Sequence, residues 1–290
     1  MIECVPNFSE GRNLSVVNEI VAAAKSGGAK VLDVNSDPDH NRSVLTFAGE
    51  EEKVFESAFQ SIKKASQLID LRKHQGVHPR IGAADVIPFI PMAGNSMDDC
   101  IRLAERLGAR VSEELNIPVY LYGKAAQRLE CVNLSDIRRG GYEELIKAIE
   151  DDPLRKPDFG PEKLGPAGAS AIGARDFLIA FNIYLVSDDI PSAKKIARKI
   201  RESSGGLKCV KALGLEVAHH AQVSMNLTDY RVTPIDVVFN AVKAYAEEEG
   251  QKIWKSELIG LAPAAAFSTI SPSKILLSDF TDRKIIENVL

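Results

Sequence analysis

Apolar positions along the chain alternate between helical and strand spacing, so the fold mixes both element types. Val16, Val17, Ile20, Val21 and Ala24 form a helical stripe that Gly27-Gly28 should stop. Lys30 to Val34 and Val44 to Phe47 read as strands joined by the polar stretch Asn35 to Ser43. Val54, Phe55, Ala58, Phe59, Ile62 and Ala65 predict a strongly amphipathic helix. Val86 to Ile90 is a strand expected at a sheet edge or end, because Pro88 has no N–H to give a ladder. A long helix over about Met97 to Leu115 and a strand at Val119 to Tyr122 follow.

From Asp151 to Gly168 the chain is rich in Pro and Gly and loses its period, the mark of a functional or an interdomain segment. The alternation then restarts. Phe177 to Leu185 reads as a strand, Ala193 to Arg201 as a basic helix, and Leu215 to Val223 as a strand carrying His219-His220. In a strand these two histidines would face opposite sides, one inward and one to solvent. Thr233-Pro234 is a good N-cap and N1 pair for a helix to Ala246. Ile253 to Leu261 and Lys274 to Leu277 close the set. Short links imply antiparallel neighbours, and the class is α+β with two domains, 1–174 and 175–290.

A length of 290 residues with 45% hydrophobic content supports two cores. A net charge of −4 disfavours nucleic acid or an anionic membrane as partner; an anionic substrate would need a local basic cluster. The four cysteines are scattered, without metal-site or disulfide spacing, and no signal peptide or membrane span is legible. A cytoplasmic protein is expected.

Candidate chemistry centres on five histidines. His40 lies in Asp37-Pro38-Asp39-His40-Asn41-Arg42, and His74 and His78 in His74-Gln75-Gly76-Val77-His78-Pro79-Arg80. An imidazole is the natural group to take a proton and return it near neutral pH. His74 and His78 have the i, i+4 spacing of a helical metal site, but Gly76 and Pro79 argue against a helix, so no metal is expected. Gly165 to Gly173 is glycine-spaced without matching a dinucleotide or phosphate loop, and reads equally as linker or ligand loop. Arg42, Arg80, Lys124 and Arg175 stand at ends of predicted elements, as solvated charges or as clamps for a carboxylate.

These motifs together resemble the formiminotransferase family. The resemblance rests on Glu3-Cys4-Val5-Pro6-Asn7-Phe8-Ser9-Glu10-Gly11, on His74 to Asp85, on Pro118 to Gly123, on Pro157-Asp158-Phe159-Gly160-Pro161, and on Ala221 to Asn226. It runs from Ile2 to Glu287. It implies two similar α+β subdomains, each a mixed sheet with helices on its outer face, the sheets facing each other across a folate tunnel. It implies transfer of a formimino group from N-formimino-L-glutamate to tetrahydrofolate, with tetrahydrofolate as co-substrate and no metal. The family's general base is the histidine of its His-Pro-Arg motif, here His78. The family's folate loop corresponds to Gly160, Pro161, Glu162, Lys163, Leu164, Gly165, Pro166, Ala167 and Gly168. Asn7, Arg42, Arg80, Lys124 and Arg175 are the candidates to bind substrate. Asn35 stands where animal members carry an aspartate that orients the base, so Asn35, Asp37 and Asp39 (or Asp33) are the candidates for that role. Family members are typically homodimers. The cyclodeaminase domain of animal members is not matched, which implies a separate cyclodeaminase downstream in histidine breakdown. Formyl transfer on the same scaffold, and folate binding without catalysis, are the rival readings.

Overall fold

The computed structural model describes residues 1–290, which divide into two compact units, Met1–Arg175 and Asp176–Leu290. Mixed α+β structure runs through both.

The first unit holds a seven-stranded mixed sheet. Its strands are β1 (Ile2–Cys4), β2 (Asn7–Phe8), β3 (Lys30–Asp37), β4 (Arg42–Gly49), β5 (Ala84–Pro91), β6 (Val119–Gly123) and β7 (Ser170–Ala174). β1 and β2 share one position, between β4 and β5, and β3 extends the sheet beyond β4. β7 lies between β5 and β6 and is parallel to both. Three long helices supply the core: α1 (Leu14–Ser26), α2 (Glu51–Leu68) and α3 (Met97–Leu115). Asn13 caps α1 by accepting from the amides of Ser15 and Val16, and Ser96 and Asp99 form a capping box on α3. The stripe read on α2 is buried against Ile2, Cys4 and Phe47 of the sheet. Short helices α4 (Leu129–Val132), α5 (Leu134–Ile137) and α6 (Gly141–Ala148) follow β6.

Two expectations fail here. β5 is central, not an edge strand, in spite of Pro88. The Pro88 carbonyl accepts from the amide of Val5 (3.3 Å), so the side of the strand lacking an N–H faces the Val5-Pro6 break between β1 and β2. No ladder bond is missed there. The aperiodic stretch 151–168 does not link the units either. It belongs to the first, pinned by the amides of Val119 to Phe159 O (2.9 Å) and Ala83 to Ala167 O (2.8 Å) before it feeds β7.

The second unit is a four-stranded antiparallel sheet in the order β11-β8-β10-β9. The strands are β8 (Ile179–Leu185), β9 (Val210–Val217), β10 (His220–Leu227) and β11 (Ile253–Ile259). Helices α7 (Ile190–Ile200) and α8 (Ile235–Glu248) pack with it around Phe181, Ile183, Val223, Val238 and Val242. The strand expected over Leu215 to Val223 is a hairpin instead. Val217 pairs with His220, and Ala218 and His219 occupy the two turn positions with φ +50° and +61°, the geometry of a type I′ turn. His219-His220 therefore mark a reversal and not two faces of one strand. The cap of α8 shifts by one residue: Pro234 occupies it, and the Thr233 hydroxyl donates to Lys208 O (2.6 Å). The strand expected at Lys274 to Leu277 is absent: a 3-10 turn at Pro272–Ile275 overlaps its start, and Leu276 follows in the left-handed region. All four cysteines are free thiols, and no helix is long and apolar enough to cross a membrane.

Candidate active site

The site grows from the loop that joins α2 to β5. Leu71 donates to Pro166 O (2.8 Å), Ala83 to Ala167 O (2.8 Å), and Ala169 to Ile81 O (2.9 Å). These bonds sew the glycine-rich loop Gly160–Gly168 to the segment bearing His74, His78 and Arg80. Gly168 closes the seam with φ +69°, and a Cβ there would meet Ile81 O at 2.1 Å. Within the glycine loop Leu164 is buried, Pro161 and Ala167 are half-buried, and Glu162, Lys163, Gly165 and Pro166 are exposed. Lys156 pairs with Glu162, and the Tyr142 hydroxyl donates to Gly165 O (3.4 Å).

His78 is half-buried, and its Nδ1 lies 2.8 Å from the carbonyl oxygen of Pro79. A carbonyl only accepts, so Nδ1 carries the hydrogen and Nε2 keeps a lone pair. Loss of hydration, then repulsion by Arg42 and Arg138, hold the His78 pKa well below the ordinary 6.5. The ring is therefore a free base at neutral pH. Three of the residues read as its orienter are placed on or just after β3. Asn35 sits on β3 opposite Val44, the Asp39 amide donates to Asp37, and the Asp37 carboxylate holds His40 (Nδ1 to Oδ2, 2.6 Å).

Beside His78 lies a buried ionic cluster. The Asp85 carboxylate, fully buried on β5, accepts from Arg42 Nη1 (2.8 Å), from Arg138 and from the Ile81 amide (2.8 Å). Burial pushes its pKa up, yet Arg138 and Arg42 outweigh that and hold it at about 2. Arg42 also donates from Nε to Asn7 Oδ1 (3.1 Å), and the Asn7 amide donates to Val5 O (2.9 Å). Burial, then Arg138, lower the Arg42 pKa to about 10. Two guanidiniums face one carboxylate, and Arg138 Nε is buried with no partner. A buried donor without an acceptor carries a desolvation cost, and excess positive charge adds to it. A carboxylate ligand relieves both. Arg138 escapes a reading by motif, because its partner Asp85 lies 53 residues away.

The other candidates are placed as follows. Arg80 spends its donors on Glu143, in two bonds of 2.8 and 2.6 Å, and on His74 Nδ1 (3.0 Å) and His74 O (3.2 Å). His74 Nε2 donates to Asn41 O (3.0 Å), so both its ring nitrogens are used in holding the loop. Lys124 is exposed in the turn after β6. Arg175, at the end of β7, donates to the Tyr122 hydroxyl and lies near the buried Glu3. Burial raises the Glu3 carboxyl to about 7 against the opposing pull of Arg175. Arg42 thus joins the His78 neighbourhood with Asn7 on its Nε, while Arg80 is bonded to Glu143 and His74.

A neutral imidazole with a free lone pair, set beside an arginine pair with spare charge, equips a protein for proton-coupled transfer of a group carried on a carboxylate compound. Comparison with known proteins narrows this class. Residues 1–175 match the N-terminal subdomain of the formiminotransferase domain, and residues 180–274 match the formiminotransferase domain. The chain is 48% identical to a glutamate formimidoyltransferase of Thermoplasma acidophilum, over 99% of this chain and 96% of that protein. It is 43% identical to a glutamate formimidoyltransferase of Streptococcus pyogenes serotype M1, over 100% and 98%. The rat formimidoyltransferase-cyclodeaminase is 46% identical over 92% of this chain, which spans 51% of that longer protein. The chain belongs to the formiminotransferase family and is an enzyme of one-carbon group transfer.

Proposed function

We propose that the protein transfers the formimino group of N-formimino-L-glutamate to N5 of tetrahydrofolate, releasing L-glutamate. The observation that carries this reading is the pairing of the free Nε2 of His78 with the net-positive Arg42–Asp85–Arg138 cluster. The donor has two carboxylates, and the cluster has a guanidinium donor to spare for one of them. N5 attacks the formimino carbon to give a tetrahedral intermediate. N5 must then lose a proton and the departing glutamate nitrogen must gain one. His78 Nε2 accepts the first and returns it to the second, a positioned transfer typically worth about 10²–10⁴-fold in rate. Its depressed pKa suits both strokes, since the ring starts neutral and its conjugate acid gives the proton up readily. Holding two substrates in reacting geometry contributes up to ~7–11 kcal/mol more.

The exposed part of the loop Gly160–Gly168, sewn to the His78 segment, is the folate-binding element in this reading. A homodimer in the cytoplasm, acting in histidine breakdown without a metal, belongs to the same proposal. A cyclodeaminase activity, paired with this one in the names of bifunctional relatives, would consume the product. Incubation with tetrahydrofolate and N-formimino-L-glutamate tests the reading. Equimolar glutamate and 5-formiminotetrahydrofolate are expected, with N-formyl-L-glutamate a poorer donor. No glutamate release from the formimino donor, or faster release from the formyl one, would overturn it.

A further inference from the structure

The loop carrying His78 runs unusually close to a second histidine. Gly76 passes so near the turn between β3 and β4 that a Cβ on it would lie 2.4 Å from His40 O. Asn41, the next residue, donates to Gln75 O (2.9 Å), and His74 Nε2 donates to Asn41 O (3.0 Å). Three contacts thus dock one loop on the other, and they set the rings of His40 and His78 6.0 Å apart, tilted by 60°. That separation falls within the range of neighbouring ring pairs, about 4.5–7 Å.

The His40 ring is fixed from behind. Asp37 Oδ1 accepts from the amides of Asp39 (2.8 Å) and His40 (2.9 Å), while Oδ2 faces His40 Nδ1 at 2.6 Å. Burial pushes the Asp37 pKa up, but its hydrogen bonds with His40 and with the backbone prevail and bring it below 3.8. An ionised carboxylate only accepts, so Nδ1 of His40 carries hydrogen and its Nε2 is the basic atom. The His40 side chain is only 11% exposed, so its ring stays beside that carboxylate. The two rings have opposite surroundings: two guanidiniums near His78, one carboxylate on His40.

We propose that His40, held by Asp37, is a second seat for the proton that His78 moves, making it a positioning residue for the transfer. The inference rests on the transfer reading above. His78 Nε2 takes the proton from N5 as the new C–N bond forms. The proton then passes from His78 to His40 Nε2, directly or through one water, and Asp37 offsets the charge. It returns to His78 and on to the departing nitrogen as the old C–N bond breaks, so no proton is gained or lost overall. Other charged groups on the packed elements are Asp39, Glu10, Arg12 and Arg80, with Asp85, Arg42 and Arg138 around His78 and neutral His74 between.

The test measures kcat and KM of the intact enzyme carrying His40→Ala or His40→Gln, with wild type turning over tetrahydrofolate and formiminoglutamate as control. Failure of that control counts against the transfer reading and not against His40. Expected is a kcat loss of about 10-fold with both KM values nearly unchanged. The loss should fall on kcat and leave KM, as expected for a group that acts through His78 and touches neither substrate. Free imidazole should restore part of the rate of His40→Ala. His40→Gln, whose amide can still donate to Asp37, keeps the turn should the alanine variant fail to fold. A wild-type kcat in the variants overturns the proposal. So does a lower kcat in both variants with no rescue of His40→Ala by imidazole, which would make His40 a purely structural residue.

Discussion

Arg138 shows how much of this site is settled by single side chains. It has a buried Nε without an acceptor and shares Asp85 with Arg42, so it is the donor most in need of a ligand oxygen. Arg138→Ala should raise KM for formiminoglutamate by about 10-fold or more while kcat falls less, since it removes binding common to ground and transition states. An unchanged KM would remove the cluster from substrate binding. Glu3 carries a second prediction. Its folded pKa of about 7 lies above the ordinary 4.5, so the folded state holds the extra proton between those values. The stability tied to that proton is present below pH 4.5 and is lost as pH rises through about 7. Glu3→Gln should melt close to wild type at pH 4.5 and above it at pH 8. Equal melting temperatures at both would show that the carboxyl is not held neutral.

At the scale of elements, the long amphipathic segments are legible because their burial repeats their spacing. The α2 stripe Val54, Phe55, Ala58, Phe59, Ile62 and Ala65 is buried throughout, and Met97–Leu115 forms α3 with those bounds. What escapes the reading is non-local. The reversal at Ala218-His219 lacks the Asn or Gly that usually marks a two-residue turn, so its backbone reversal has no compositional signature. Pro88 reads as an edge signal until the break at Val5-Pro6 is seen to face it. His78 is recognisable from its motif, but its tautomer depends on the Pro79 carbonyl, and its pKa on burial and on Arg42 and Arg138, the last 60 residues away in sequence (138 against 78). The docking of the two histidine loops depends on Gly76. Gly76→Ala sets a Cβ against the His40 carbonyl, a backbone atom that no rotamer change can move aside. An ångström-scale displacement of His78 would lower kcat by about 10²-fold, whereas melting temperature should change little because the loop is peripheral. Normal turnover in that variant would show that the close approach is not needed.

Across the whole molecule, a net charge of −4 conceals a local excess of positive charge beside His78, where the proposed reaction needs a dicarboxylate to bind. His78, the arginine pair and the glycine-rich loop all lie in the first unit, on or beside its mixed sheet. Family membership rests on matches in both units. The account as a whole depends on one imidazole that is neutral at working pH and aims an unprotonated nitrogen at the reacting centre. The most direct measurement is the turnover of His78→Ala with tetrahydrofolate and formiminoglutamate, beside its circular dichroism and its affinity for folate. The expected result is a kcat loss of about 10²-fold or more with folding and folate affinity retained, and a wild-type acid limb below pH 6.5. Near-wild-type turnover by the variant would contradict the account.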